Sequence, residues 1–339
     1  MRRSTMQLRR KLMAGAAAAV IATALTGCGT TEAAVEPANE APAGQAITVL
    51  DYQGQEVTLE NGPAKRVVAL EWEQAEIFTS LGIDLVGVAD VAGYTSWAGN
   101  SVPLSGKPAD VGTRGEPSVE AIAELEPDLI VGSASSVPDA VRGQLDRVAP
   151  ILLLGASATG TDDGPLERMK YVVDTFAKTV DRADEGKKLF GDFSDKLDAN
   201  ARRIAKAGAA GTPATFTSIY ESGGSIVFRL EGEGSLTQGV LDRLGLQAAY
   251  TGKVEEYGLA SSDIEGLTEF PDDAWLFYWA NADSDDPVAT QLKGNGVWDG
   301  LPMVQADRVR GVADGVWLYG GPVSLGLFSD EIANVMTAR

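Results

Sequence analysis

PLERMKYVVDTFAKTVDRADEGKKLFGDFSDKLDANARRIAKA, residues 165–207, carries apolar side chains at Leu166, Met169, Val173 and Phe176, then at Phe190, Phe193, Leu197, Ala201 and Ile204. Both sets recur every three or four residues, the spacing of one helix face. Asp181 has the chemistry of an N-cap between them, which predicts a second helix near 24 residues, about 36 Å long. A helix of that length can bridge two lobes as a stiff strut; two ordinary helices packed within one lobe would satisfy the same pattern.

On either side the pattern is α/β. Upstream, short apolar runs at 66–70, 85–88, 129–131 and 151–154 alternate with helical patterns at 74–81, 119–125 and 138–148. Such alternation implies a mostly parallel sheet with helices on its faces. Downstream the order recurs: strands at 214–219 and 226–228 around Gly223-Gly224, helices at 236–244 and 264–270, and a strand at 275–278. A local echo supports the duplication, because Val119-Glu120-x-Ile122-x-Glu124-Leu125-x-x-Asp128 matches Ile264-Glu265-x-Leu267-x-Glu269-Phe270-x-x-Asp273 type for type. Gly232-Glu233-Gly234 reads as a hairpin turn. The fold class expected is α/β, with an N-terminal lobe over 47–163, a connecting helical segment over 164–207 and a C-terminal lobe over 208–339.

The N-terminus reads as an address. Five basic residues and no acid in 1–11 precede an apolar segment over 12–25, then Thr26, Gly27 and Cys28. This is the layout of an export signal, here 1–27, and the apolar run falls short of the about 20 residues a spanning helix needs. Leu25-Thr26-Gly27-Cys28 resembles the bacterial lipobox, in which the cysteine is acylated and becomes the new N-terminus. A chance thiol beside an ordinary cleavage site is the alternative, disfavoured because a lone exposed cysteine is a liability outside the cell. Residues 28–46, rich in Thr, Glu, Ala and Pro, read as a flexible tether reaching about 25 Å. Arg9-Arg10 leaves the export route, general or twin-arginine, open.

Composition excludes several functions. Without the five basic signal residues, 23 basic residues face 48 acidic ones, a formal charge of −25. That charge disfavours nucleic acid and anionic lipid headgroups as partners. Histidine is absent, which removes the commonest metal ligand and the commonest neutral-pH base. No GxSxG elbow, GxxxxGK[ST] loop or GxGxxG turn is present, so neither nucleotide cofactor nor resident metal is expected.

The runs VVALEW (67–72), GVADVAGY (87–94), DVGTRGEPS (110–118) and GVWLYGG (315–321) resemble, in this order, the iron-siderophore substrate-binding proteins of ABC importers, particularly the ferric-hydroxamate binders. The likeness spans nearly all of 47–339. It implies two α/β lobes joined by a long rigid helix, no enzymatic activity, and a ferric siderophore as ligand. Such a chelate already saturates its iron, so the carrier must recognise its outer surface with aromatic faces and a guanidinium. The resemblance assigns Arg114 to the chelating oxygens; from the residues alone a surface pair with Glu116 fits equally. It assigns Trp97 and Trp317 to the pocket, where core packing is the alternative, and sets Tyr257 where hydroxamate binders carry a tryptophan. Trp72 and Tyr94 lie on loops expected to open toward the cleft. Ser133-Ala134-Ser135-Ser136 stands where some relatives place a chelate-bonding tyrosine. Arg229 is either a second positive charge or a partner of Glu231.

Glu120 and Glu265 match the glutamates, one per lobe, that meet permease arginines in relatives. Each also fits a first helical turn, where a carboxylate offsets the macrodipole. The implied partners are an ABC permease with its ATPase and the membrane through lipid on Cys28, with the protein a monomer on the extracytoplasmic face of the cell membrane. Cobalamin or another bulky chelate is the alternative ligand, haem being disfavoured without histidine. A secreted hydrolase with paired carboxylates is the reading from another class, and no acid pair is singled out for it.

Overall fold

The computed structural model describes residues 44–156, 164–279, 285–312 and 315–338. The expected signal, Cys28 and nearly all of the tether lie outside the described residues.

Strands β1 (Ile47–Leu50) and β2 (Glu56–Leu59) form an antiparallel hairpin. The N-terminal lobe follows, built on β3 (Val67–Ala69), β4 (Gly87–Val88), β5 (Ala109–Asp110), β8 (Leu129–Gly132) and β9 (Ile151–Leu153). These five lie in the order β5-β4-β3-β8-β9, all parallel. β3 and β8 are buried at every residue, as sheets covered on both faces require. Helices α1 (Trp72–Ser80), α2 (Val91–Trp97), α3 (Val119–Glu124) and α4 (Asp139–Leu145) supply the crossovers, and the small hairpin β6 (Gly112–Thr113)–β7 (Glu116–Pro117) interrupts one of them.

Two helices cross to the second lobe, α5 (Gly164–Thr179) and α6 (Ala183–Lys206), the latter 24 residues long. Asp181 is not the cap of α6. It occupies the left-handed turn between the helices at φ 55°, and Arg182 stands at the N-cap without a side-chain bond. An Asp tolerates that backbone because its short polar side chain can bond locally. Helix α6 instead gains from Asp184 and Glu185 in its first turn and Arg203 and Lys206 in its last, each sign opposing the macrodipole.

The C-terminal lobe contains β10 (Pro213–Ser222), β11 (Ser225–Glu231), α7 (Leu236–Arg243), β12 (Gln247–Ala248), β13 (Leu259–Ser262), β14 (Trp275–Trp279), α8 (Gly296–Gly300), α9 (Pro302–Gln305), β15 (Val309–Val312) and α10 (Pro322–Thr337). Its sheet runs β13-β11-β10-β14-β15, with β12 beside the start of β10. β10, β12, β14 and β15 are parallel, whereas β10, β11 and β13 are antiparallel neighbours. Gly223 and Gly224, both at positive φ, make the two-residue hairpin turn. Gly232–Gly234 is no hairpin: Ser235 N bonds Gly232 O and the Ser235 hydroxyl then caps α7, so the turn leads from strand to helix. The echo of α3 near 264 is a 3-10 turn, Glu265–Glu269.

The long helix α6 packs against α10. Asn200 Nδ2 donates to Ser329 Oγ and Asp330 Oδ1, and Lys196 pairs with Asp330. The lobes also meet directly. Ser101 donates its N–H and hydroxyl to Gly315 O at 3.1 and 2.8 Å, and Glu76 of α1 accepts from Ser324 N and Oγ at the start of α10. No helix among the described residues is long and apolar enough to cross a membrane.

Candidate functional site

The C-terminal ends of the parallel strands open on one region, as binding crevices of α/β sheets do. Leaving β3, Glu71 caps α1 by accepting from Trp72 N. Trp72 is buried, and its Nε1 donates to Ala89 O at 3.1 Å, tying the loop after β3 to the loop after β4. Past β5, the β6–β7 hairpin presents Arg114 at its tip, where Gly115 takes φ 80°. Arg114 Nη1 lies 2.8 Å from Glu71 Oε1, so its carboxylate partner is Glu71 and not Glu116. Its guanidinium carbon sits 4.0 Å from the centroid of Trp72 and 4.8 Å from that of Trp317. One of five donors is engaged by Glu71, and the side chain stays 32% exposed, leaving N–H groups for an incoming acceptor.

Opposite, the loop between β15 and α10 contributes Trp317 and Tyr319, and the end of β14 contributes Trp279. Trp317 meets Trp72 edge-on at 4.8 Å and stacks on Trp279 at 5.1 Å. Trp97, closing α2, meets Trp279 at 5.4 Å and Trp317 at 6.2 Å. Tyr319 adds contacts of 5.6 Å to Trp279 and 5.4 Å to Trp317. Aromatic rings from both lobes thus form one continuous cluster against Arg114, in which Trp72 and Trp317 are buried in the core and Trp97, Trp279 and Tyr319 are half-buried at its edge. Ring pairs of this geometry contribute about 0.5–1.5 kcal/mol each beyond buried area.

Arg114, Trp72, Trp97 and Trp317 are brought together. Tyr94 stands apart from them: it is fully buried behind Trp72, ring to ring at 6.5 Å, with its hydroxyl spent on Val102 O at 2.7 Å. Tyr257 lies half-buried on the C-terminal lobe in the turn Glu256–Gly258, with φ 63°. The 133–136 loop closes on itself through Ser136 Oγ, which accepts from Ser133 N at 2.9 Å. Glu120 and Glu265 are exposed, each in the first turn of its helix. Trp279 and Tyr319 were missed by sequence reasoning. Their signals were available: Trp279 ends a strand as Trp72 follows one, and Tyr319 follows Trp317 by two residues.

Three carboxyls near this region are fully buried. Burial pushes Glu73 up to about 8 against the Ala156 N–H it accepts, and Glu231 up to about 7. Glu76 is raised by the same desolvation, opposed by the donors of Ser324. Among the described residues no three carboxylates or thiols converge as metal ligands would. What the cluster offers chemically is apolar ring area and the N–H donors of Arg114 that Glu71 does not engage.

Two α/β lobes that meet at an aromatic cluster bearing the Arg114 guanidinium have the architecture of a solute-binding protein. The chain belongs to the periplasmic binding protein family, whose model matches residues 67–314. It is 31% identical over 278 residues, 81% of this chain and 88% of the relative, to the iron(3+)-hydroxamate-binding protein FhuD of Escherichia coli. It is 26% identical over 318 residues, 88% of this chain and 89% of the relative, to the probable siderophore-binding lipoprotein YfiY of Bacillus subtilis. The siderophore-binding protein FhuD of Vibrio cholerae, in its Fe3+–Desferal complex, shares the fold at TM-score 0.67 and 24% identity, over 81% of this chain and 98% of that one. These relatives are binding proteins, not enzymes.

Proposed function

We propose that this protein captures a ferric siderophore, of hydroxamate type, in the inter-lobe cleft and delivers it to an ABC permease while held at the membrane by lipid on Cys28. The observation carrying this reading is Arg114, fixed over Trp72 and beside Trp317 with donors to spare. A coordinatively saturated chelate presents apolar arms and partly negative oxygens, and this site offers flat rings for the first and a guanidinium for the second. The 31% identity to a hydroxamate binder supports that ligand type.

Intrinsic tryptophan fluorescence tests it, since Trp72, Trp97, Trp279 and Trp317 all line or back the site. Titration with ferrioxamine, ferrichrome, a ferric catecholate and cobalamin is expected to quench emission most tightly with the two hydroxamates. Quenching by cobalamin alone would move the assignment to that chelate, and no quenching by any iron chelate would remove the reading.

Delivery is assigned to Glu120 and Glu265, exposed on different lobes. A rigid two-lobed body engaging two receptor sites at once gains avidity from fixed spacing. The double variant Glu120→Ala/Glu265→Ala is expected to lose siderophore uptake in cells with ligand affinity unchanged. Normal uptake would leave both residues only their helix-terminal role.

A further inference from the structure

Arg114 does not stand as a free charge. Its Nη1 donates to Glu71 Oε1 at 2.8 Å, and the same oxygen accepts from Trp72 N at 3.1 Å. Glu71 thus joins the backbone that begins α1 to the tip of the β6–β7 hairpin. It fixes the guanidinium where the rings of Trp72 and Trp317 lie 4.0 and 4.8 Å from its carbon. The pair is partly withdrawn from water, at 32% and 20% side-chain exposure, where salt screens it less than on an open surface.

The other acids nearby leave this neutralisation to Glu71. Asp110 of β5 spends its carboxylate on Val91 N and Gly112 N. Glu116 is exposed and makes no ion pair with Arg114. Glu73 and Glu76 are fully buried on α1, and desolvation raises both, Glu73 to about 8 with a smaller push from Glu71. On the other lobe Arg229 lies over the Tyr220 ring, and the buried Glu231 interacts with its guanidinium. The C-terminal wall therefore also sets an acid beside its cation. A paired guanidinium still has N–H groups to donate, but the carboxylate 2.8 Å away offsets the pull of its charge on an anion.

We infer that Glu71 determines which charge of chelate the cleft accepts: by pairing with Arg114 it makes the guanidinium a hydrogen-bond donor without net charge. The inference rests on the ferric-chelate reading and adds a specificity-determining residue to it. The ligands of a ferric tris-hydroxamate balance the charge of the iron, whereas catecholates, each doubly ionised, leave a trianion. The neutral chelate brings partly negative oxygens to the N–H groups that Glu71 does not engage, and no charge to set against the carboxylate. The trianion meets Glu71 as a like charge beside its attractor, so the loss of its hydration on entering the cleft is not offset.

The test is fluorescence titration of wild type, Glu71→Gln, Arg114→Ala and the double variant with the neutral ring chelate ferrioxamine E and with a ferric tris-catecholate. Glu71→Gln keeps an amide oxygen for Trp72 N and leaves the guanidinium charge unmatched. It is expected to bind the catecholate at least tenfold tighter than wild type does, while its affinity for ferrioxamine E moves less than threefold. Adding Arg114→Ala is expected to abolish the gain, a result that a purely structural role for Glu71 would not produce. A Glu71→Gln protein that binds the catecholate no better than wild type, or a gain that survives the loss of Arg114, overturns the inference. So does wild type that binds the catecholate as tightly as ferrioxamine E. In each of these cases the binding of ferrioxamine E keeps the ferric-chelate reading standing; wild type that binds neither chelate removes that reading and the inference with it.

Discussion

Replacing Arg114 by alanine is expected to weaken ferric-hydroxamate binding at least tenfold, about 1.4 kcal/mol, while leaving the melting temperature nearly unchanged. The two outcomes separate because of where the side chain stands. Its ion pair with Glu71 is partly solvated, at 32% and 20% side-chain exposure, and pairs of that kind contribute about 0–1 kcal/mol to folding. Glu71 keeps its second task after the substitution, accepting from Trp72 N at the start of α1, so the helix retains its cap. In the complex the balance differs. The guanidinium would be enclosed between the rings of Trp72 and Trp317 and the chelate, where a charge-assisted hydrogen bond is worth about 1.5–3 kcal/mol. Arg114→Lys should recover only part of the loss, since an ammonium lacks the planar fork that lies flat on an indole. Unchanged affinity in the alanine variant would take Arg114 out of the site.

What could be read from the sequence followed the range of the interactions. The helix at 183–206 was legible because its apolar face repeats within a few residues: of the five residues the spacing selects, Phe193, Leu197 and Ile204 are buried and Phe190 and Ala201 half-buried. The parallel N-terminal sheet was legible for a like reason: Val67–Ala69 and Leu129–Val131 are apolar at every position because both faces are covered. The C-terminal sheet was harder, since the antiparallel neighbours of β10 depend on a hairpin and on a return from β13 that no local period announces. The site divides in the same way. Loops carrying Trp72 and Arg114 follow strands and could be placed, but the partner of Arg114 could not. Glu116 is two residues away in sequence, while Glu71, 43 residues away, makes the pair because β3 and β5 are held on either side of β4. Tyr94, expected on a loop, stands inside helix α2 together with Trp97, and only the closing of α2 against Val102 shows that its hydroxyl is already used.

Glu76→Ala is expected to cost about 2–4 kcal/mol of stability and to weaken ligand binding with it. Glu76 is fully buried on α1, and 248 residues separate it from its partner. Its two oxygens accept from Ser324 N at 3.0 Å and Ser324 Oγ at 2.6 Å, which caps α10 from the opposite lobe. The pocket around that carboxylate is shaped for it: a side chain at Gly320 would collide with Oε2, and one at Gly321 would come within 3.0 Å of Oε1. Removing it leaves the buried donors of Ser324 and the neighbouring N–H groups at the start of α10 without their acceptor and opens a void against both glycines. Four residues before Glu76, one turn along the same helix face, stands Trp72. Helix α1 therefore positions one ring directly and, through Glu76, anchors the 315–321 loop that carries the other, so the 4.8 Å contact of Trp72 with Trp317 is set by one rigid element. Glu76→Gln separates these effects from charge. Desolvation raises the pKa of Glu76, so a neutral group of the same shape, with one oxygen to accept from Ser324 N and an amide that can donate to the Ser324 hydroxyl, is expected to retain most of the stability and affinity. Thermal melts with chelate titrations on both variants check this. If alanine is tolerated, or glutamine proves as damaging as alanine, the lobes are held together by α6 and α10 and the Glu76 cap contributes little.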